Sequence, residues 1–285
     1  MSARKDRVAP ATDTKQLASW NALCIEGFAR AGLAQQREDW INTAHQALTF
    51  VREHLWTEEG LQAVHADGQT QYCAYLDDHA FLVRAILSLL KARWDGPACQ
   101  FARELADAMI ERYEDPDKGG FFFSAADQPA PVSRLRPMQD DATPGGNGMA
   151  ILALEELGNL VAEPAYLESA SRALMGAYPE MERHPLAHAS LVMALSRHMA
   201  VPIQIIITGR DDTEINEWKK LANAHDRVNC YVFGPEEERS TEGLPGPPGL
   251  YAFDEQTTAY VSEGLHCLPP VKSVQALKQR LESMN

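Results

Sequence analysis

Over about the first 200 positions, apolar residues recur every three or four places, a spacing that predicts helices. Leu17, Trp20, Leu23, Cys24, Phe28 and Leu33 mark the first helix, over 16–34, with Gly32 placed to help close it. Further helices are expected over 38–56, 75–93, 97–113, 147–160, 164–181 and 185–199, and Pro97 suits a first turn. A glycine-bearing turn at 58–70 and a long irregular stretch at 114–146 interrupt them.

The helices alternate in character. The first, third, fifth and seventh are apolar almost all round, whereas the second, fourth and sixth carry charge on one face. All-round apolar helices are buried and one-sided helices lie outside, which is the pattern of a toroid or solenoid of helical hairpins. The pattern stops near residue 200, where β-branched residues over 201–209 read as a buried strand. A helix over 211–225 and a second strand over 227–233 make a β-α-β piece, followed by a loop rich in Pro, Gly and Glu and a last short helix. The sequence therefore predicts a mainly α chain: a loose stretch over 1–15, a partial (α/α)6 toroid of about seven helices over 16–200, and a small α/β piece over 201–285.

Composition narrows the function. Of 285 residues, 45% are hydrophobic, enough for a large core, and the net charge of −14 argues against nucleic acid or an anionic membrane as partner. The longest apolar run contains Arg84 and is too short to span a bilayer. Five scattered cysteines, odd in number and without a CxxC, point to reduced thiols and a cytoplasmic setting. Cys24, Cys73 and Cys99, in apolar helical surroundings, read as buried and inert.

The candidate chemistry sits at two helix starts. Asp77-Asp78-His79 opens the third helix, and Asp140-Asp141 precedes the fifth, with Asn147 at its start. One carboxylate per helix start serves as a cap, so doublets beside Tyr75, His79 and Asn147 carry more acid than capping needs. If the two helices are neighbours, one acid from each pair can protonate a leaving oxygen while its partner activates water or stabilises charge. His79 is a candidate acid or base, Arg134 and Arg136 could hold a substrate carboxylate or phosphate, and Trp20 and Tyr75 could stack on a sugar face. The plainer reading makes Asp77 and Asp140 caps and the rest solvent-facing or paired. His184 and His188 have metal-like spacing, but Pro185 lies between them and no HExxH arrangement exists, so neither metal nor cofactor is expected.

Five segments in order, around Trp20-Asn21, Tyr75-Leu-Asp77-Asp78, Gly119-Gly-Phe-Phe-Phe123, Asp140-Asp-Ala-Thr-Pro-Gly-Gly-Asn147 and Tyr260 to Val271, resemble the C-terminal half of the thioredoxin-domain-containing, spermatogenesis-associated protein 20-like family. That resemblance implies a toroid similar to six-hairpin glycosidases and N-acylglucosamine 2-epimerases. It places family positions on Trp20, Asn21, Asp77, Asp78, Arg134, Arg136, Asp140, Thr143, Pro144 and Asn147, with Ala22, His79 and Gly145 departing from its usual residues. Its late cysteine pair falls on Ser262 and Cys267, one of them lost. No thioredoxin-like domain is seen, and about seven helices stand where a closed toroid needs about twelve.

The expected activity is acid/base chemistry on a small sugar or sugar acid, epimerase- or glycosidase-like. Asp78, Asp140, Asp77 and His79 would be catalytic, and Trp20, Asn21, Tyr75, Arg134, Arg136 and Asn147 would bind substrate. The alternative is a non-catalytic scaffold or pseudoenzyme half that docks a thioredoxin-like partner chain, an N-terminal half or a second copy of itself.

Overall fold

The computed structural model describes residues 7, 8, 11–129, 132–225, 227–234, 244–250, 256–264 and 266–284. All seven expected helices form: α1 (Ala18–Gln35), α2 (Glu38–His54), α3 (Leu76–Ala92), α4 (Gly96–Tyr113), α5 (Gly146–Val161), α6 (Pro164–Arg183) and α7 (Ala189–His198), the last preceded by a 3-10 turn at Pro185–Ala187. Local chemistry fixes several ends. The Asp95 carboxylate accepts the Ala98 N–H at 3.1 Å with Pro97 in the first turn of α4, and Glu163 with Pro164 does the same for α6. Gly32 does not close α1. Gln36 does, in the left-handed region at φ 52°, while Gly32 lies where α2 crosses, a Cβ there falling 2.7 Å from Ile41.

The odd helices pack in series, α1 on α3, α3 on α5 and α5 on α7, and α2, α4 and α6 each back one of them. Three-dimensional order thus follows the inner–outer alternation of the sequence, and the result is an arc of an α/α toroid. Burial is near complete on the middle inner helices. Of the 17 residues of α3, all but Asp77, Arg84 and Lys91 are buried, and of the 16 in α5, all but Glu155, Glu156 and Asn159. α1, at the end of the row, leaves Trp20 and Phe28 63% and 42% exposed.

The expected turn over 58–70 is instead a small sheet. β3 (Gly60–Ala66) pairs antiparallel with β1 (Gln16–Leu17), β2 (Trp56–Thr57) and β4 (Gln69–Cys73). Asp67 and Gly68, both at positive φ (51° and 76°), form the two-residue hairpin turn between Ala66 and Gln69. An Asp-Gly pair between strands is a strong hairpin signal, and it was present in the sequence. Two thiols differ from the expectation of burial: Cys73 ends the paired strand β4 half-buried, and Cys24 is exposed on α1, whereas Cys99 is buried as expected.

After residue 200, β5 (Ile203–Thr208), α8 (Asp212–Asn223) and β6 (Val228–Phe233) form the parallel β-α-β unit. A short helix, α9 (Pro247–Leu250), follows. The sheet then grows by two antiparallel strands not read from the sequence, β7 (Thr258–Glu263) against β5 and β8 (His266–Cys267) against β7, with α10 (Val274–Glu282) last. Ser262 and Cys267 are cross-strand partners, the hydroxyl donating to the sulfur at 3.6 Å. Successive β5 residues serve two cores. Ile205 and Ile207 pack with Trp218 and Leu277, while Ile206 joins Tyr231, Phe233 and the helical arc through Trp94. Among the described residues, no helix is long and apolar enough to cross a membrane.

Candidate active site at the mouth of the arc

All four inner helices start at the same end. The Asp78 carboxylate, in the first turn of α3, accepts the Ser19 N–H of α1 through Oδ1 at 2.9 Å and its own Tyr75 N–H through Oδ2 at 2.8 Å. Asp140, ahead of α5, accepts the Gly145 N–H at 2.6 Å and both the N–H and the hydroxyl of Ser190 in α7, at 2.9 and 2.5 Å. Each carboxylate therefore caps two neighbouring helix starts, satisfying N–H groups that have no partner within their own helices. The expected catalytic pair of Asp78 and Asp140 is spent on holding the mouth together. Burial raises the Asp140 carboxyl, but the hydrogen bonds from Ser190 and Gly145 outweigh it and leave the pKa below the ordinary value. Burial lifts Asp78, only 3% exposed, to about 6 against the pull of the Tyr75 and Ser19 N–H groups.

Asp77 differs. Its carboxylate lies against Gly146 at the start of α5, where any side chain would collide with Oδ1. A Cβ there would push the Asp77 carboxylate aside, and its absence brings the first doublet to the second motif. Asp77 is part-exposed and accepts no hydrogen bond from a described residue. Burial, then the charge of Asp78, raise its pKa to about 6.

The other expected site residues mostly serve the fold. His79 is fully buried, its Nδ1 3.2 Å from the Tyr75 carbonyl and its ring 5.1 Å from Tyr113, and burial lowers it to about 4, so it is neutral and away from the mouth surface. Asn21 donates to the Leu17 carbonyl at 2.8 Å, and Tyr75 stacks on Phe123 at 4.6 Å. Arg134 donates to the carbonyls of Ser124 and Arg112 and lies over the Phe122 ring. Arg136 pairs with Asp115 at 3.2 Å and donates to the Gly119 carbonyl. Asn147 binds both backbone groups of Phe121 and the Pro137 carbonyl. Together these three fasten the described parts of the long connection, 114–129 and 132–145, to the mouth. Trp20 remains exposed one residue after Ser19, and Asp141 is exposed beside Asp140. His188, buried, turns Nδ1 to the His184 carbonyl at 2.7 Å.

Below the mouth the concave face of the arc carries a charged stripe that sequence reasoning missed. Asp77, Arg84, Ser88 and Lys91 fall on one stripe of α3, and Arg84 lies about 10 Å along the axis from Asp77 at 1.5 Å per residue. Arg84 bridges Glu26 of α1 at 3.2 Å and Glu156 of α5 at 2.6 Å, and Lys91 meets Glu156 at 2.8 Å. The Tyr231 hydroxyl also donates to Glu156 at 3.2 Å. Burial would raise Glu156, but Lys91 and Arg84 prevail and bring it to about 2. The signal was a charge inside three of the four all-round apolar helices: Glu26, Arg84 and Glu156.

No protein-family model matches the chain. It is 28% identical over 298 residues to human spermatogenesis-associated protein 20, covering 98% of this chain and 37% of that protein. The mouse protein of that name is 26% identical over 296 residues, again with 98% and 37% covered. The chain thus spans little more than a third of the length of these relatives. Among solved structures, a GH76 α-mannanase of Bacteroides thetaiotaomicron is similar in fold, with a TM-score of 0.51 at 14% identity over 66% of this chain and 53% of that one.

Proposed function

We propose, from the likeness to the spermatogenesis-associated protein 20 proteins and from the α/α-toroid fold, that this chain is a carbohydrate-active region whose acid/base group is Asp77. The observation that carries the reading is that Asp77 accepts no hydrogen bond from a described residue while Asp78 and Asp140 cap helix starts, and burial beside Asp78 raises its pKa to about 6. A carboxyl in that range is present in both forms at physiological pH, so it can give a proton to a leaving oxygen or take one from a hydroxyl or C–H. Asp78 acts as a positioning residue, fixing the first turn of α3 and hence Asp77. Trp20 supplies an exposed aromatic face at the mouth for a sugar ring.

The test is turnover of α-manno-oligosaccharides and isomerisation of free aldoses, followed by NMR, for the wild type and for Asp77→Asn. The expected loss in Asp77→Asn is about a hundredfold or more, in the range of general acid–base catalysis. Wild-type turnover that survives this substitution unchanged overturns the assignment.

One observation favours a second reading. The outer side of α1 presents Trp20 and Phe28, 63% and 42% exposed, with an open space at Gly27. On α3 and α5 the equivalent side is covered by the preceding inner helix. In this reading α1 docks a further helical hairpin of a longer polypeptide, as the length of the relatives suggests. Light scattering on Phe28→Glu would test it. Self-association or partner capture by the wild type that the substitution abolishes supports docking, and a wild-type monomer that captures no such hairpin segment speaks against it.

A further inference from the structure

The concave face opens into a cavity of about 1220 Å³ between the helical arc and the α/β piece. Among the described residues it is lined by seven lysines and arginines and only three glutamates, four positive charges in excess. The chain as a whole carries −14, so this is a local reversal of sign. The cations come from three directions: Arg84 and Lys91 from α3, Arg197 from α7, and Lys220 and Arg227 from α8 and the start of β6.

Two layers differ in how far their charge is used. Arg84 and Lys91, at depth, are matched by Glu26 and Glu156. At the rim, the side chains of Arg197, Lys220 and Arg227 are exposed and form no hydrogen bond or salt bridge with a described residue. Helix C-termini attract cations, which accounts for Lys91, Arg197 and Lys220 one at a time. It does not account for Arg227, nor for their opening on one cavity. A second observation points to a ligand: Ser88, 2% exposed, lines this cavity with its hydroxyl unpartnered, and the Nε of Arg84 is likewise buried without a partner. Buried polar atoms left unpaired are uncommon and costly, and a bound acceptor oxygen would satisfy both.

We propose that this cleft binds a small phosphate-bearing anion, its phosphate held by the rim cations Arg197, Lys220 and Arg227 and reaching the free donors of Arg84 and Ser88. Arginine forks and lysines converging from separate elements suit an anion with several acceptor oxygens and more than one charge. The space exceeds what a phosphate alone fills, so the ligand carries an organic portion that packs against Leu152 and Met193, two apolar residues of the lining. This site is independent of proton exchange at Asp77.

Titration calorimetry on the full chain with pyrophosphate, glucose 6-phosphate, glucose and citrate tests the proposal. Saturable binding of the two phosphate compounds is expected, with neither glucose nor citrate competing. The rim variant Arg197→Ala/Lys220→Ala/Arg227→Ala, all exposed positions, should bind pyrophosphate at least tenfold more weakly. Ser88→Ala should weaken it by a smaller factor, while Lys118→Ala/Arg183→Ala, outside the cleft, and Asp77→Asn should bind as the wild type does. Absence of saturable heat, wild-type affinity in the rim variant, an equal loss in the control variant, or citrate binding as tightly as pyrophosphate would each overturn it.

Discussion

The two ends of the concave face use charge in opposite ways. At the mouth, carboxylates meet backbone N–H groups, and the side chains of one sign find their partners in the helix starts themselves. At the base, side chains of both signs meet each other, Arg84 and Lys91 against Glu26 and Glu156. The mouth can therefore lose one acid and keep its remaining caps, whereas at the base the loss of Glu156 takes the carboxylate from Lys91 and one of two from Arg84. The difference teaches where to look for function. A carboxylate left over after capping is available for chemistry, and a cation left over after pairing is available for an anion.

The sharpest way to break the contrast is Glu156→Ala. It leaves Lys91 without a carboxylate partner and Arg84 with Glu26 alone, both mostly shielded from water, and the expected loss of unfolding free energy is about 3 kcal/mol. Urea denaturation of the variant checks it, and a cost no larger than that of Asp78→Ala would mean that the base is no more coupled than the mouth. In pH terms, Glu156 has its pKa lowered from 4.5 to about 2, so its contribution is present above pH 4.5 and lost as pH falls through 2. Asp78→Ala comes next. It removes acceptors from two helix starts, at about 1 kcal/mol for each, so roughly 2 kcal/mol in the same denaturation experiment.

The smallest effect has the most distinctive signature. Asp77 has its folded pKa raised from 3.8 to about 6, so the folded state binds that proton more tightly than the unfolded chain does. Its favourable contribution is present below about pH 4 and is lost as pH rises through 6. Asp77→Asn should therefore raise the melting temperature at pH 7.5 and leave it unchanged at pH 4. Asp140, held below its ordinary pKa by Ser190 and Gly145, should show the opposite pH dependence and is the internal control.

Much of this was legible in the sequence because burial on a helix has a period. Apolar runs around Phe81 and Ile151 identified the inner row, and the excess of acid at Asp77-Asp78 located the mouth. Which acid would be free was not legible. Asp77 and Asp78 are adjacent, so a helical turn of about 100° separates their directions, and only the neighbouring helices decide that one meets Ser19 and the other Gly146. The β-hairpin was missed because Leu61, Ala63 and Val64 were weighed as a turn, although Asp67-Gly68 marked two strands. The antiparallel strand β7 was missed because its partner β5 lies some fifty residues upstream, a pairing no local pattern records. The ion cluster escaped for the same reason, since Glu26, Arg84 and Glu156 come from three different helices.

The capping acids also bear on how such an arc can be lengthened or cut. Asp78 sits on α3 but satisfies the start of α1, and Asp140 precedes α5 but satisfies the start of α7. A hairpin is therefore not a removable brick, because excising one strands a donor on its neighbour as well as exposing an apolar flank. Splices that respect the arc should fall between a helix and the acid that answers it only where the newcomer brings its own acid, so the inheritable unit is a helix start together with the carboxylate next door.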